Sequence, residues 1–137
     1  MRLRATRRYV FPAAHVLAHP GFSDEENARI YGKCANPAGH GHDYGVEVTL
    51  EGEVGPSGHL VDPELLDRIV GERVLARFSH RLLNRDPLFA ERVPTAENVA
   101  RVIHERIAGA LRERSQARLV RVRIEETRRN SFAYGEP

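Results

Sequence analysis

The chain has 137 residues, 41% of them hydrophobic and 29% charged, with a formal net charge of +2. That length fits one domain, residues 1–137, with enough apolar material for a core. The balance argues against a nucleic-acid binder, because the arginines are scattered among Glu and Asp rather than gathered on one face or arm. A lone cysteine, Cys34, cannot form an internal disulfide, which fits a reducing compartment. The apolar run in "MRLRATRRYVFPAAH" is too short and too polar for a signal peptide, and no stretch approaches the ~20 apolar residues of a membrane span. The expectation is a soluble, cytoplasmic protein that engages neither membrane nor nucleic acid.

"RLRATRRYVF" (residues 2–11) mixes aromatic and branched residues and reads as a strand. "HPGFSDEEN" (19–27) begins as a loop. "HDYGVEVTLEGEV" (42–54) alternates: Tyr44, Val46, Val48 and Leu50 point one way, Asp43, Glu47, Thr49 and Glu51 the other. "GPSG" (55–58) breaks that strand. Asp62 then suits an N-cap and Pro63 the first helical position of a helix running to Phe78. Its apolar stripe is Leu65, Leu66, Ile69, Val70, Val74 and Phe78. Thr95 caps a second helix, with Glu97 in its first turn and Val99, Val102, Ile103, Ile107 and Leu111 as its stripe. "ARLVRVRIEE" (117–126) closes the chain as a strand. The order strand, strand, two helices, strand predicts an α+β fold. So few strands leave open sheet edges, which favours oligomerisation.

The chemistry concentrates in "YGKCANPAGHGHDYGVEV" (31–48). His40 and His42 are two apart on a strand, so both imidazoles share one face with Tyr44 and Val46. Two neutral imidazoles make half a zinc site, and a catalytic zinc needs about three protein ligands and an open position. Cys34 and the other histidines are candidates for the third. His15 ends the first strand segment beside small alanines. His59 in its turn and His104 on the polar side of the second helix read as ordinary surface residues. Lys33, the sole lysine, neighbours Cys34, where an ammonium favours a thiolate. His80 closes the first helix, and acid–base work there needs a carboxylate or thiol partner. In the last strand Val120, Val122, Ile124 and Glu126 share one face, and Leu119, Arg121, Arg123 and Glu125 the other. A carboxylate closing an apolar face is costly unless paired. Glu126 is either free in solvent past the strand end or an anchor for a flat N–H edge such as an aminopyrimidinone. The residues alone leave both open.

Taken in order, "FPAAH" ending at His15, "FSDEENARIYGKCANPAGHGHDY" (22–44), "HRLLN" (80–84), "PTAENVA" (94–100) and "IEET" (124–127) resemble the 6-pyruvoyltetrahydropterin synthase family, which includes the bacterial 6-carboxytetrahydropterin synthases of queuosine biosynthesis. The resemblance covers nearly the whole chain. It implies the tunnelling fold (T-fold): an antiparallel sheet with two helices on one face, assembled as trimers that close a barrel and commonly stack as hexamers, with active sites between subunits. It implies that His15, His40 and His42 bind zinc, that Cys34 is the catalytic thiol and not a ligand, and that His80 relays protons with it. Glu126 would hold the pterin ring, with Thr95 and Glu97 near its pocket. The implied activity is a zinc-dependent lyase that converts 7,8-dihydroneopterin triphosphate to 6-pyruvoyltetrahydropterin and triphosphate. The alternatives are the carboxy synthase, which also releases acetaldehyde, and a pterin-binding homologue with impaired catalysis. The motive for the last is Ser79, which stands where the family usually has Asp before the relay histidine. A serine hydroxyl can orient an imidazole but brings no charge to stabilise its cation. A second departure, Pro12 within "FPAAH", asks no chemistry of its side chain.

Overall fold

The computed structural model describes residues 2–137. Four antiparallel strands form one sheet in the order β1 (Arg2–His15), β2 (His40–Glu53), β3 (Arg118–Glu125) and β4 (Ser131–Gly135). The two main helical segments pack on one face of it. The first begins as α2 (Pro63–Val70), passes through a π-helical turn (Gly71–Leu75) and ends as the single turn α3 (Ala76–Phe78). The second is α4 (Ala96–Arg114). Asp62 caps α2 by accepting from the Glu64 N–H, and Thr95 caps α4 by accepting from the Asn98 N–H, as the sequence predicts.

The predicted stripes become the core. Leu66, Ile69, Val70, Val74 and Phe78 from the first segment, and Val99, Val102, Ile103, Ile107 and Leu111 from α4, are buried against Phe11, Tyr44, Val46, Val48, Val122 and Ile124 of the sheet. The π turn begins at Gly71, a poor helix former, and its wider winding keeps Val74 and Phe78 in phase with Val70.

The opposite face of the sheet carries a ladder of opposite charges. Arg4 meets Glu51 at 3.7 Å and Arg8 meets Glu125 at 3.4 Å, while Arg118 pairs with Glu51 and Arg123 with Glu47. This ladder explains why charged residues alternate with valines along β2 and β3.

Four expectations need correction. Residues 19–27 are not only loop: α1 (Asp24–Tyr31) starts within them, with Ser23 and Glu26 forming a reciprocal cap and Gly32 ending it at φ 57°. β4 was not expected, being five residues beyond a charged turn. Strict alternation fails in β3, because a bulge between Thr49 and Leu50 pairs Leu50 with Leu119 and Thr49 with Arg121. Leu119 and Val120 are therefore both buried. Finally, His104 is no ordinary surface residue: it is half-buried with its ring edge-on to Tyr134, 5.0 Å between centroids.

Residues 79–85 run along the end of β1. The His80 N–H donates to the Pro12 carbonyl at 2.7 Å, and the Ala14 N–H to the Arg81 carbonyl at 2.9 Å. Asn84 clamps Val16 through both backbone groups, each at 2.8 Å. Pro12 thus matters through its backbone, not its ring.

Candidate metal centre and pterin site

β1 and β2 are in a register that pairs His15 with His40 and Ala13 with His42. The period-2 alternation turns Phe11, Ala13 and His15 to the same side as His40, His42 and Tyr44. The three imidazoles form a triangle with centroid separations of 4.4, 5.0 and 4.8 Å. One ring nitrogen from each lies within 4.8 Å of the others. Cys34 is not part of this group.

The hydrogen-bond accounting leaves this cluster incomplete. His42 Nε2 and His40 Nδ1 are buried with no partner, and His15 Nε2 faces His40 Nε2 at 2.8 Å. His15 Nδ1 lies 2.7 Å from the Pro94 carbonyl and 3.1 Å from the Tyr44 hydroxyl. A carbonyl only accepts, so Nδ1 carries the proton and Nε2 offers a lone pair to the cluster. Burial, helped by His40 and His42, holds the His15 imidazole down at about 4 against the pull of the Pro94 carbonyl. Burial, then His42, also lowers His40. Three convergent imidazoles with orphaned nitrogens fit a tri-histidine cation site with an open fourth position.

Glu126 follows β3 directly and is not free in solvent. Its side chain is 16% exposed, with Oε1 3.9 Å from His42 Nε2. Burial raises its pKa, His42 opposes the rise, and Glu97 adds to it. Glu97 itself is exposed on the first turn of α4. Thr95 serves visibly as the helix cap.

Cys34 sits in a 3-10 turn (Gly32–Ala35), partly exposed. Its carbonyl accepts from the Leu17 N–H at 2.7 Å, which ties the turn to the exit of β1. Buried Asn27 holds α1 in place through the His19 backbone.

His80 is exposed and holds a left-handed backbone, φ 60°, the only non-glycine described residue to do so. It lines a shallow groove with Pro12, Gly41, His42 and Asp43. Among the described residues no hydrogen bond links Ser79 Oγ to the His80 ring, and none links His80 to Cys34.

Two site members escaped the sequence reading. Tyr44 is fully buried against His15, and burial first, then Glu126 and Cys34, raises its pKa. Its place on the His40–His42 face was the available signal. Pro94 acts through its backbone carbonyl, for which no side-chain signal exists.

The antiparallel sheet with its two helical segments on one face is the tunnelling fold. The chain belongs to the 6-pyruvoyl tetrahydropterin synthase family, whose model matches residues 4–137. The 6-pyruvoyl tetrahydrobiopterin synthase of Poecilia reticulata is 40% identical over 131 residues, 94% of this chain and 87% of that one. The human protein of the same name is 38% identical over 133 residues, 96% and 90% of the two chains. A putative 6-carboxy-5,6,7,8-tetrahydropterin synthase of Archaeoglobus fulgidus is 39% identical over 98 residues, 72% and 70%. The structure of Caenorhabditis elegans 6-pyruvoyl tetrahydropterin synthase superposes with a TM-score of 0.90 at 36% identity, covering 100% of this chain and 97% of that one.

Proposed function

We propose that this chain is a zinc-dependent lyase that converts 7,8-dihydroneopterin triphosphate to 6-pyruvoyltetrahydropterin with release of triphosphate. The observation that carries the reading is the orphaned His42 Nε2, placed between two further histidines and the Glu126 carboxylate. A cation on one side of His42 and a pterin-sized ring anchored by Glu126 on the other would put a substrate side chain over the metal.

In this reading His15, His40 and His42 hold the zinc, with the Pro94 carbonyl fixing the His15 tautomer. Bound there, zinc supplies a Lewis acid that makes protons beside the substrate's side-chain hydroxyls more acidic. Glu126, largely buried beside His42, accepts from the N–H edge of the pterin. Cys34 accepts a proton from the side chain and returns one to the ring, and His80 exchanges protons with it. In this reading the substrate, or a neighbouring copy, bridges His80 and Cys34. The open outer edge of β1 and the short edge strand β4 support a homo-oligomer, trimer or hexamer, with sites between subunits. No helix of the described residues is long and apolar enough to cross a membrane.

The carboxy synthase is the second reading, supported by the similarity to the Archaeoglobus fulgidus protein. Trapping acetaldehyde during turnover separates the two: its absence supports the pyruvoyl product, and stoichiometric acetaldehyde supports the carboxy product.

A further inference from the structure

The chain leaves the metal site through residues 16–19, and three separate elements lock onto that short stretch. The β1–β2 ladder ends at the His15–His40 pair, so Val16 lies beyond it. Asn84 supplies what a strand neighbour would. Its Oδ1 accepts from the Val16 N–H and its Nδ2 donates to the Val16 carbonyl, both at 2.8 Å. The next residue, Leu17, donates its N–H to the Cys34 carbonyl at 2.7 Å. Two residues further on, Asn27 of α1 holds the His19 backbone with both of its amide groups, at 2.9 and 3.3 Å. Asn84 also ends the run that begins at His80. That run lies along β1 through the His80 N–H on the Pro12 carbonyl, the Ala14 N–H on the Arg81 carbonyl, and a bridge between Leu82 and Ala14. One exposed amide therefore joins the His80 segment to the residue that follows His15 and precedes the anchor of the Cys34 turn.

We propose that Asn84 is a positioning residue, whose side-chain amide holds the Cys34 turn and the His80 segment in one fixed relation to His15. The inference rests on the reading of Cys34 and His80 as the groups that move protons. It holds alike for a site within one copy and for sites shared between copies, since in both cases one amide sets where each group is presented. An amide suits the task because it offers an acceptor and a donor side by side to a single residue's N–H and C=O. A carboxylate could only accept, and would set a negative charge against the Val16 carbonyl.

The test is Asn84→Ala beside Asn84→Asp in the zinc-loaded full chain. Three quantities are read: bound zinc, kcat against KM, and hydrogen exchange of individual backbone amides. Zinc should stay, because His15 keeps its pairing with His40 and its bond to the Pro94 carbonyl. In Asn84→Ala kcat should fall by about 10- to 100-fold with KM within threefold, as misplaced acid–base groups predict. Asn84→Asp keeps one of the two bonds and should lie between Asn84→Ala and the parent. Exchange at Leu17 and at His80 should both quicken by about tenfold in Asn84→Ala, while β3 keeps its protection. An unchanged kcat would overturn the proposal, as would unchanged exchange at Leu17 or a loss of zinc that accounts for the fall in kcat. Faster exchange throughout β3 would also overturn it, since that marks a general loosening. If the parent chain does not turn over the pterin triphosphate, the function reading fails by itself, and exchange at Leu17 and His80 still decides the role of Asn84.

Discussion

The Nε2 atoms of His15 and His40, twenty-five residues apart in the chain, face each other at 2.8 Å across the β1–β2 pair. His15 Nε2 is bare because its other nitrogen holds the proton for Pro94. Without metal, a proton on His40 Nε2 fills the gap but strands His40 Nδ1 and does nothing for His42 Nε2. A divalent cation would engage all three rings at once.

That relationship separates ligand from thiol. His40→Ala should reduce bound zinc from roughly one per chain to near zero after dialysis, since a three-ligand site loses a third of its donors. Cys34→Ala should keep its zinc and lose turnover by at least ~10²-fold. Metal analysis and steady-state kinetics on the two variants check both. Zinc loss in Cys34→Ala would make the thiol a ligand.

Ser79, not a carboxylate, precedes His80 in the chain. Ser79→Asp should raise kcat on the order of tenfold, well inside the ~10²–10⁴ range of general acid–base effects, with KM little changed. A change below twofold would mean that another group already orients His80.

His80 pays a conformational cost for its position. Its φ of 60° disfavours any side chain, and the bond to the Pro12 carbonyl holds it there. His80→Gly should raise stability by about 1 kcal/mol while lowering turnover. Urea unfolding and kinetics on the same sample would show the opposed effects.

Asp86 anchors the segment that carries His80. It takes both arms of Arg77 at 2.8 and 2.7 Å and accepts from the Leu88 N–H at 2.9 Å. Burial alone would raise its pKa, but Arg77 and the Leu88 N–H together hold it below the ordinary carboxylate value. A depressed folded pKa contributes stability that is present above the unfolded value, about 4, and is lost as pH falls through the lower folded value. Asp86→Asn should therefore cost about 2 kcal/mol at neutral pH and flatten the acid limb of a stability–pH profile measured between neutral pH and acid.

The two long helical segments and β2 were legible because each buries one continuous stripe, and periodicity reports such stripes directly. Leu119 was misassigned because a bulge changes which face a residue takes without altering the residue types around it. α1 carried a readable cap in Ser23 and Glu26, but its lone buried residue, Asn27, gives no apolar period. In the site, "HGH" advertised two neighbouring imidazoles, and register alone brought His15 to them. Glu126 was ambiguous until the turn after β3 aimed it at His42. The Pro94 carbonyl could not be read at all, since every residue has one.

The central claim is a pterin lyase whose metal sits on His15, His40 and His42. The direct measurement is mass analysis of the pterin formed when purified, zinc-loaded protein is incubated with 7,8-dihydroneopterin triphosphate, beside a chelator-treated sample. The account predicts 6-pyruvoyltetrahydropterin and free triphosphate from the loaded protein and none from the stripped one. Unchanged substrate in both, with zinc bound, would contradict it.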